Sequence, residues 1–183
     1  NGMLMEIGEN IIRLVATDGH RLALCEAKTD SNINENQQFI IPRKGVIELT
    51  KLLGDTDLPA QIQLGSNFIR ISIPELCFTS KLIDGRFPDY QNVVPEGSDK
   101  IVKCDKELLR QALNRVSILS NEKFRGVRFQ FSTGILKISA HNPDQEEAEE
   151  EVVVDYKGES LEVGFNVTYI MEAIAACPQD QVN

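Results

Sequence analysis

The feature that most constrains the fold of this chain is an internal repeat, because the second half repeats the order of strands, turns and helix found in the first. Aligned by residue type, the two halves are shifted by about 124 positions. Three pairs of segments carry the alignment: residues 2–5 with 126–129, residues 14–19 with 136–141, and residues 39–42 with 163–166. The repeat predicts two copies of one α+β module.

In the first half, short apolar and β-branched runs separated by Gly, Asn and Pro turns predict a series of strands. A helix is predicted over residues 43–53, where Val46, Leu49 and Leu53 fall on one stripe. A polar loop is predicted over residues 28–37. The predicted strands cover residues 3–7, 11–16, 21–27, 39–41, 60–64, 68–73 and 76–82.

The second half repeats this order after a linker that is predicted over residues 92–100. Asp105 is a good N-cap for a helix over residues 106–116, and a last helix is predicted over residues 167–176. The predicted strands cover residues 101–104, 126–131, 135–140, 149–155 and 161–165. The chain therefore divides into two predicted domains, 1–96 and 97–183. Each copy lacks elements that the other has, so we expect the chain to be a fragment.

The net charge of −9 bears on the class of partner. Proteins that hold DNA by affinity neutralise its phosphates with Lys and Arg, so an acidic chain argues against that class. The argument is weaker for a protein that encloses DNA, because only its inner wall must be basic. The distribution of the cations therefore matters more than their sum.

The four cysteines are scattered, with no C-x-x-C pair and no His at ligand spacing: Cys25, Cys77, Cys104 and Cys177. This pattern is typical of reduced, buried thiols in a cytoplasmic protein, and disfavours a disulfide framework or a metal site. No apolar run approaches the roughly 18 residues that a membrane span needs, so no membrane partner is expected.

Catalytic machinery is not evident in the sequence. His20 lies close to Asp18 and could act as a base, but the chain has only 2 His and no Ser or Cys in a nucleophile turn. Asp84 and Asp89 flank a Gly-Pro turn without a third carboxylate for a metal. We therefore expect no enzyme, no cofactor and no metal, and a small-molecule enzyme using His20 remains the weakest alternative.

Six stretches of the sequence carry a family resemblance. They are residues 16–23 (ATDGHRLA), 41–49 (IPRKGVIEL) and 81–90 (KLIDGRFPDY) in the first half, and residues 118–128, 142–150 and 164–169 in the second. With them the chain resembles the β sliding clamps, the ring-shaped processivity factors of bacterial replicative DNA polymerase. The resemblance implies a DNA clamp fold, α+β, in which repeated modules of antiparallel sheet place two helices each on the inner face of a ring. Three modules form a subunit of that family and two subunits encircle duplex DNA, so this chain is expected to cover most of the second and third modules.

The resemblance also implies a pocket that binds the Leu or Phe anchors of short linear motifs. Its expected partners are DNA polymerase III, the clamp loader, other polymerases and repair proteins. A plain surface charge is the alternative for Arg21. The implied pocket residues are Thr17, Gly19, His20, Arg21, Leu22, Pro88 and Val93 from the first half, with Asn166 and Tyr169 closing the pocket from the second.

Two predicted helices carry cations opposite their apolar stripes, which by itself is typical of an ordinary solvated face. In the clamp family such helices line the inner wall of the ring, and their basic side chains meet phosphates without reading bases. The residues that the resemblance implies for this role are Arg43, Lys44, Lys51, Arg110 and Arg115. The last helix offers no cation at its polar positions Thr168 and Glu172.

The acidic run over residues 144–151 is commonly a solvated edge strand. In the clamp family this region meets a basic face of the neighbouring subunit, which makes the full-length protein a homodimer. The implied interface residues are Ile118, Leu119 and Phe124, together with Glu146, Glu147 and Glu149. A glycosylation pattern begins at Asn166, but at the start of a predicted helix this residue is better explained as a cap.

Taken together, these features predict a non-enzymatic sliding clamp subunit that tethers DNA polymerase for processive synthesis. The alternative is an interaction scaffold that binds peptides but never DNA, and the net acidity favours it.

Overall fold

Alternating apolar and polar residues build a four-stranded antiparallel sheet from the first part of the chain. Its strands are β1 (Gly2–Gly8), β2 (Ile11–Thr17), β3 (Leu22–Lys28) and β4 (Gln37–Pro42), in the order β3-β2-β1-β4. Met5, Ile7 and Ile41 are buried on one face of this sheet. On the other face, Leu4 and Val15 are buried as well.

The structure is a computed structural model that describes residues 2–29, 36–54, 57–95 and 97–183. The chain divides into two units, Asn1–Val93 and Val94–Asn183, so the division lies three positions before the predicted boundary. The predicted loop over residues 28–37 and the predicted linker over residues 92–100 lie partly outside the described residues.

In the first unit, one helix and a second sheet cover the Met5 face. The helix α1 (Arg43–Leu53) follows Pro42 and ends at Gly54. The strands β5 (Gln61–Leu64), β6 (Phe68–Ile73) and β7 (Leu76–Lys81) form an antiparallel sheet in sequence order. Leu49 of α1 packs with Ile69 and Ile71 of β6 in this core, and Val46 and Leu53 pack against it. The predicted apolar stripe of the helix is therefore confirmed.

The second unit repeats the four-stranded sheet and adds a second helix. Its elements are β8 (Cys104–Asp105), α2 (Lys106–Ser117), β9 (Gly126–Ser132), β10 (Ile135–His141), β11 (Glu147–Val153), β12 (Leu161–Asn166), α3 (Val167–Ala176) and β13 (Gln181–Val182). The large sheet has the order β11-β10-β9-β12, and β13 pairs with β8. Leu109, Leu113 and Val116 of α2 are buried in its core, as their spacing predicts.

The repeat extends to the register of the strands. Leu4 pairs with Val15 in the first sheet, and the residues 124 positions later, Arg128 and Ser139, pair in the second. The turn before β11 is one residue longer than the turn before β3. The start of β11 therefore lies one position beyond the 124-residue shift that relates the other strands of the two sheets. The sequence alignment of residues 14–19 with 136–141 was wrong by two positions, because β2 and β10 begin at Ile11 and Ile135. A two-residue slip keeps every side chain on its own face, so residue type alone does not reveal it.

Side-chain caps fix the start of both helices in the second unit. The Asp105 carboxylate accepts from the Leu108 amide at 2.9 Å, and the Asn166 side-chain oxygen accepts from the Thr168 amide at 2.9 Å. Both predicted capping roles are confirmed. The start of α1 differs, since Pro42 offers no side-chain cap.

Three strands of the second unit differ from prediction by more than a one-residue shift of an end. The strand predicted over residues 101–104 is reduced to β8, preceded by a single bridge between Lys103 and Asp155. The strand β11 begins at Glu147, two residues before its predicted start, because its glutamates pair in register with β10. The short strand β13 was not predicted.

The cysteines are free, but the prediction that they are buried is wrong for two of the four. Cys104 is buried and Cys177 half-buried, whereas Cys25 and Cys77 are exposed. Within the described ranges no helix is long and apolar enough to cross a membrane. The same ranges contain no cluster of three His, Cys, Asp or Glu side chains that could hold a metal ion.

Two of the three leucines of α2, Leu113 and Leu108, allow a matched test of this packing. Leu113 is fully buried, and its truncation in Leu113→Ala is expected to lower the free energy of unfolding by about 2–5 kcal/mol because a cavity remains. Leu108 on the same helix is 53% exposed, so Leu108→Ala is expected to change it by less than about 0.5 kcal/mol. Urea unfolding followed by circular dichroism measures both, and equal losses would contradict the assignment of the buried face.

Candidate functional site

The turn between β2 and β3 is held by its own side chains. The Thr17 hydroxyl donates to the carbonyl oxygen of Arg21 at 2.7 Å and accepts from the Gly19 amide at 3.1 Å. The Asp18 carboxylate accepts from the backbone amides of His20 and Arg21, both at 3.0 Å. Gly19 lies at φ 88°, in the left-handed region that favours glycine. The turn is therefore a preformed surface at the end of the sheet.

The charge of Asp18 is fixed by the same contacts. Hydrogen bonds from the amides of His20 and Arg21 lower the pKa of the Asp18 carboxyl, and the Arg21 guanidinium, 3.0 Å away at Nε, adds to this effect. The carboxylate is thus used by the turn. This arrangement disfavours the alternative in which Asp18 orients His20 as a catalytic base.

The segment of residues 82–93 packs beside this turn. It follows β7 as irregular chain, tied at its start by the Ile83 amide, which donates to the carbonyl oxygen of Ile40 at 2.8 Å. Phe87 and Tyr90 pack with Leu22 in one apolar cluster that also contains Leu4 and Val15. The structure therefore brings the two motifs that the sequence singled out, the β2–β3 turn and residues 81–90, onto one cluster.

A row of polar side chains crosses the four strands on the same face. Its members stand opposite one another in consecutive strand pairs: Gln38, Glu6, Arg13 and Glu26. Gln38 Nε2 donates to Glu6 Oε1 at 2.6 Å, and Arg13 Nε donates to Glu26 Oε1 at 2.6 Å. The Tyr90 hydroxyl donates to Glu6 Oε2 and accepts from Arg13 Nη1 at 3.2 Å. The row thus joins the sheet to residues 82–93.

The charges in this row are stabilised by their neighbours. Burial disfavours the charged form of Glu6, but hydrogen bonds from Tyr90, Gln38 and Arg13 outweigh it and keep the pKa of its carboxyl below the ordinary value. Hydrogen bonds with Glu26 and Tyr90 raise the pKa of Arg13. Both groups are therefore charged at neutral pH.

The predicted pocket residues of the first unit differ in exposure. Thr17 and Leu22 are half-buried, whereas Gly19, His20, Arg21 and Pro88 are exposed. Val93 is 67% exposed.

The two pocket residues predicted in the second unit have contacts of their own there. The Asn166 side chain caps α3 through its oxygen, and its nitrogen donates to the carbonyl oxygen of Phe124 at 3.1 Å. Tyr169 is half-buried in the first turn of α3, where its amide donates to the Asn166 oxygen at 3.4 Å. Their assignment to a peptide pocket remains a prediction.

The corresponding face of the second unit carries different residues. Small or polar residues stand there in place of apolar ones: Arg128 for Leu4, Ser139 for Val15 and Gly164 for Ile40. A cleft of about 590 Å³ lies over these positions, with Phe124, His141 and Pro143 on its wall. The two copies of the module therefore differ in chemistry at this face.

Three of the five predicted DNA-facing cations are paired with carboxylates. Lys51 Nζ lies 3.1 Å from Glu48 Oε1 on α1. Arg110 donates to both oxygens of Glu107, at 2.8 and 2.7 Å, and lowers the pKa of that carboxyl to about 2. These intrahelical pairs neutralise part of the charge that the helices present.

The third pair links a helix to the edge of a sheet. Arg115 of α2 donates to both oxygens of Glu150 on β11, at 2.6 and 3.2 Å. Lys106 on the same helix is half-buried, and its ammonium group donates to the carbonyl oxygen of Cys177. A helical wheel of α2 therefore suggests more unpaired positive charge than the helix presents, because it does not show the partners of these cations.

Arg43 and Lys44 differ from these cations. Both side chains are exposed, and neither forms an ion pair with any residue in the described part of the chain. They occupy the first two positions of α1, which has no acidic residue in its first turn. The helix dipole disfavours positive charge at this end, so the pair is not explained by helix stability.

The predicted interface residues form an exposed surface in the second unit. Ile118 follows α2 and is 77% exposed, and Phe124 is 67% exposed, while Leu119 is half-buried. Exposed apolar side chains of this size, close together in sequence, are typical of an interaction surface.

The acidic residues lie on the neighbouring edge strand β11 and its turn. Glu147 and Glu149 point away from the core, and Glu149 pairs with Lys137 of β10 at 2.7 Å. Glu146 lies in the turn, where it accepts from the Asn142 side chain at 2.7 Å. The outer face of this edge is thus strongly acidic.

Sequence reasoning missed the polar row and the role of Tyr90. The row becomes visible only when the strands are aligned in register, since its residues are widely separated in the sequence. One local signal could have revealed the row. The hairpin turn after Gly8 places Glu6 opposite Arg13, and opposite charges at such positions commonly pair.

Comparison with known families assigns both units. Residues 1–89 match the family described as "DNA polymerase III beta subunit, central domain", and residues 91–183 match its "C-terminal domain". The Beta sliding clamp of Pseudomonas putida is 52% identical over 182 residues, and that of Escherichia coli K12 is 50% identical over 182 residues. Each alignment covers 100% of this chain and 50% of the relative, so the chain spans about half the length of these curated relatives.

Solved structures give the same result. The DNA polymerase sliding clamp from Pseudomonas aeruginosa superimposes with a TM-score of 0.96 at 51% identity, over 99% of this chain and 50% of that one. A clamp from the same organism bound to griselimycin matches equally well, over 49% of its length. The griselimycin-bound clamp from Bartonella birtlesii matches with a TM-score of 0.92 at 38% identity, over 99% of this chain and 50% of that one. The α+β clamp fold implied by the sequence is confirmed.

The left-handed turn residue offers a direct test of the β2–β3 turn. Gly19→Ala is expected to lower the free energy of unfolding by about 1 kcal/mol, because a Cβ is strained at this φ although nothing lies near it. Gly126→Ala is the control, since Gly126 has no positive φ and its added Cβ also meets open space. Urea unfolding of the two variants checks this, and an equal effect at both positions would show that the turn is not strained.

Proposed function

This chain belongs to the bacterial β sliding clamp family, and on that premise we propose that it supplies two consecutive domains of a ring that encircles duplex DNA. The ring tethers a replicative DNA polymerase, so that dissociation requires the ring to open rather than phosphate contacts to break. The observation that carries this proposal is the in-register repeat of the two units, each matching a different clamp domain family.

The proposal assigns no catalysis to the chain. The turn at residues 17–22, where Asp18 lies close to His20, uses the Asp18 carboxylate for its own backbone amides. Enclosure needs shape and weak contacts rather than a reaction, which suits a site without an oriented base or nucleophile. A cytoplasmic location follows from replication in bacteria and belongs to the same proposal.

The start of α1 is the best candidate for contact with DNA. Its free backbone amides, together with the exposed Arg43 and Lys44, create a positive end that suits a phosphate group. Lys51, Arg110 and Arg115 are already paired, so phosphates would compete with Glu48, Glu107 and Glu150 for them. Contacts of that kind exchange easily, which suits a protein that slides.

The first unit is proposed to bind short linear motifs from polymerase, clamp loader and repair proteins. The β2–β3 turn, Pro88 and the exposed Val93 form the part of the pocket that this unit supplies. Two related clamps are described as bound to griselimycin, and we propose that this compound is a ligand of this chain too.

The second unit is proposed to carry the surface through which full-length subunits pair. Ile118, Leu119 and Phe124 supply apolar contact, and Glu146, Glu147 and Glu149 supply negative charge on a strand edge. An exposed edge strand is suited to pairing with a strand of another subunit.

Retention on circular DNA tests the ring proposal. In a hybrid, residues 1–183 replace the matching half of the Escherichia coli clamp, to which they are 50% identical. The hybrid, loaded on nicked circular DNA, is expected to remain bound through gel filtration at about 0.15 M salt and to dissociate when the circle is linearised, because enclosure rather than affinity holds it. A hybrid that binds griselimycin but is not retained on the circle would favour the scaffold alternative.

The same hybrid tests the cations. The double variant Arg43→Ala/Lys44→Ala is expected to reduce the salt slope of direct DNA binding by about 0.9 for each phosphate that the variant no longer neutralises. The double variant Lys103→Ala/Lys157→Ala removes the same charge from exposed positions outside the helices and serves as the control. Equal reductions would mean that only net charge matters.

Val93 tests the pocket with little cost to folding. Val93→Ala in the hybrid is expected to weaken binding of a peptide with Leu and Phe anchors about fivefold, since two methyl groups no longer contribute about 1 kcal/mol of apolar contact. Val153→Ala, at a valine that is 79% exposed, is the matched control and is expected to leave affinity unchanged. Fluorescence polarisation measures both, with griselimycin as competitor, and unchanged affinity in Val93→Ala would remove this residue from the pocket.

A further inference from the structure

Residues 82–93 have few attachments for a segment that lines a binding surface. Backbone hydrogen bonds join their beginning to the sheets, where the Leu82 amide donates to the carbonyl oxygen of Asn67 at 2.9 Å and the Ile83 amide to that of Ile40 at 2.8 Å. From there to Val93 the described chain forms no helix or strand. Side-chain contacts therefore contribute to the position of Pro88 and Val93.

Tyr90 is the principal side-chain anchor near the end of this segment. Its ring is 5% exposed and packs in the cluster with Leu4 and Val15. Its carbonyl oxygen accepts from the Val93 amide at 3.0 Å, which fixes the turn that presents Val93. A displacement of Tyr90 would therefore displace Val93 with it.

The hydroxyl of Tyr90 adds a directional contact to this packing. It donates to Glu6 Oε2 and accepts from Arg13 Nη1, two groups that are held in place by Gln38 and Glu26 in the polar row. A hydrogen bond to a charged, partly buried group contributes more than one between neutral groups. Four strands thus determine where a single hydroxyl lies.

We propose that Tyr90 is a positioning residue for the peptide pocket, its hydroxyl fastening residues 82–93 to the polar row so that Pro88 and Val93 are in place before a partner peptide arrives. The inference rests on the proposed pocket of the first unit. We call the hydrogen bonds of the Tyr90 hydroxyl to Glu6 and Arg13 the latch. Without the latch, residues 82–93 would become ordered only when a peptide binds, and the entropy cost of that ordering would reduce affinity.

Tyr90→Phe isolates the latch, because the variant keeps the ring in the cluster and removes only the hydroxyl. Opening of residues 82–93, measured by amide hydrogen exchange of the 183-residue chain, is expected to rise about tenfold, as befits the loss of a hydrogen bond to a charged group. The rise is expected at these residues and not across β1–β4. In the hybrid, affinity for griselimycin is expected to fall several-fold.

The matched control is Tyr156→Phe. Tyr156 is 3% exposed, and its hydroxyl donates to the carbonyl oxygen of Glu159 at 2.7 Å in the second unit. This variant also removes the hydroxyl of a buried tyrosine, here from a neutral acceptor, but is expected to leave exchange of residues 82–93 and ligand affinity unchanged. A merely structural role for Tyr90 would lower the melting temperature and raise exchange throughout the first sheet, and that result would overturn the proposal.

The remaining outcomes separate the latch from the pocket. Unchanged exchange at residues 82–93 in Tyr90→Phe would overturn the latch, whatever happens to affinity. Raised exchange with unchanged affinity would overturn the positioning role. If the unmodified hybrid binds no griselimycin and no peptide, the proposed pocket fails, and the exchange data still decide whether the latch exists.

Discussion

Strand register is the constraint on which the rest of this structure depends. Leu4 opposite Val15 and Arg128 opposite Ser139 show that the same pairing was kept in both units. In an antiparallel sheet a slip by one residue would exchange the two faces, so a fixed register decides which side chains reach the helices and which reach the outer surface. The buried cores, the turn at residues 17–22 and the polar row all follow from that choice.

The polar row shows how strand register brings separate residues together into one hydrogen-bonded network. Glu6, Arg13, Gln38 and Glu26 are distant in sequence but adjacent across the sheet. The partly buried carboxylate of Glu6 stays charged here because several donors converge on it. The same convergence gives the irregular segment after β7 a defined place, which local backbone propensity cannot supply.

Much of this fold could be predicted from the sequence, because the spacing of apolar residues indicates where helices and strands form. The bounds of α1 and α3 and the caps Asp105 and Asn166 follow from local signals. The ion pair between Arg115 and Glu150 could not be predicted, because it requires that β11 lie beside α2 and that the Glu150 side chain point toward the helix. The contacts of Lys106 and the exposure of Cys25 were missed for the same reason: each depends on a neighbour that is remote in sequence.

The face that carries Leu4 in the first unit shows how one framework can carry two kinds of surface. The first copy has Leu4, Val15 and Ile40 there, packed with residues of the segment 82–93, and the second has Arg128, Ser139 and Gly164 at the same register positions. The strand pairing is the same in both copies, so the exchange of side chains leaves the hydrogen-bonded framework unchanged. A single backbone geometry can therefore support an apolar surface in one domain and a surface of small and polar side chains in the next.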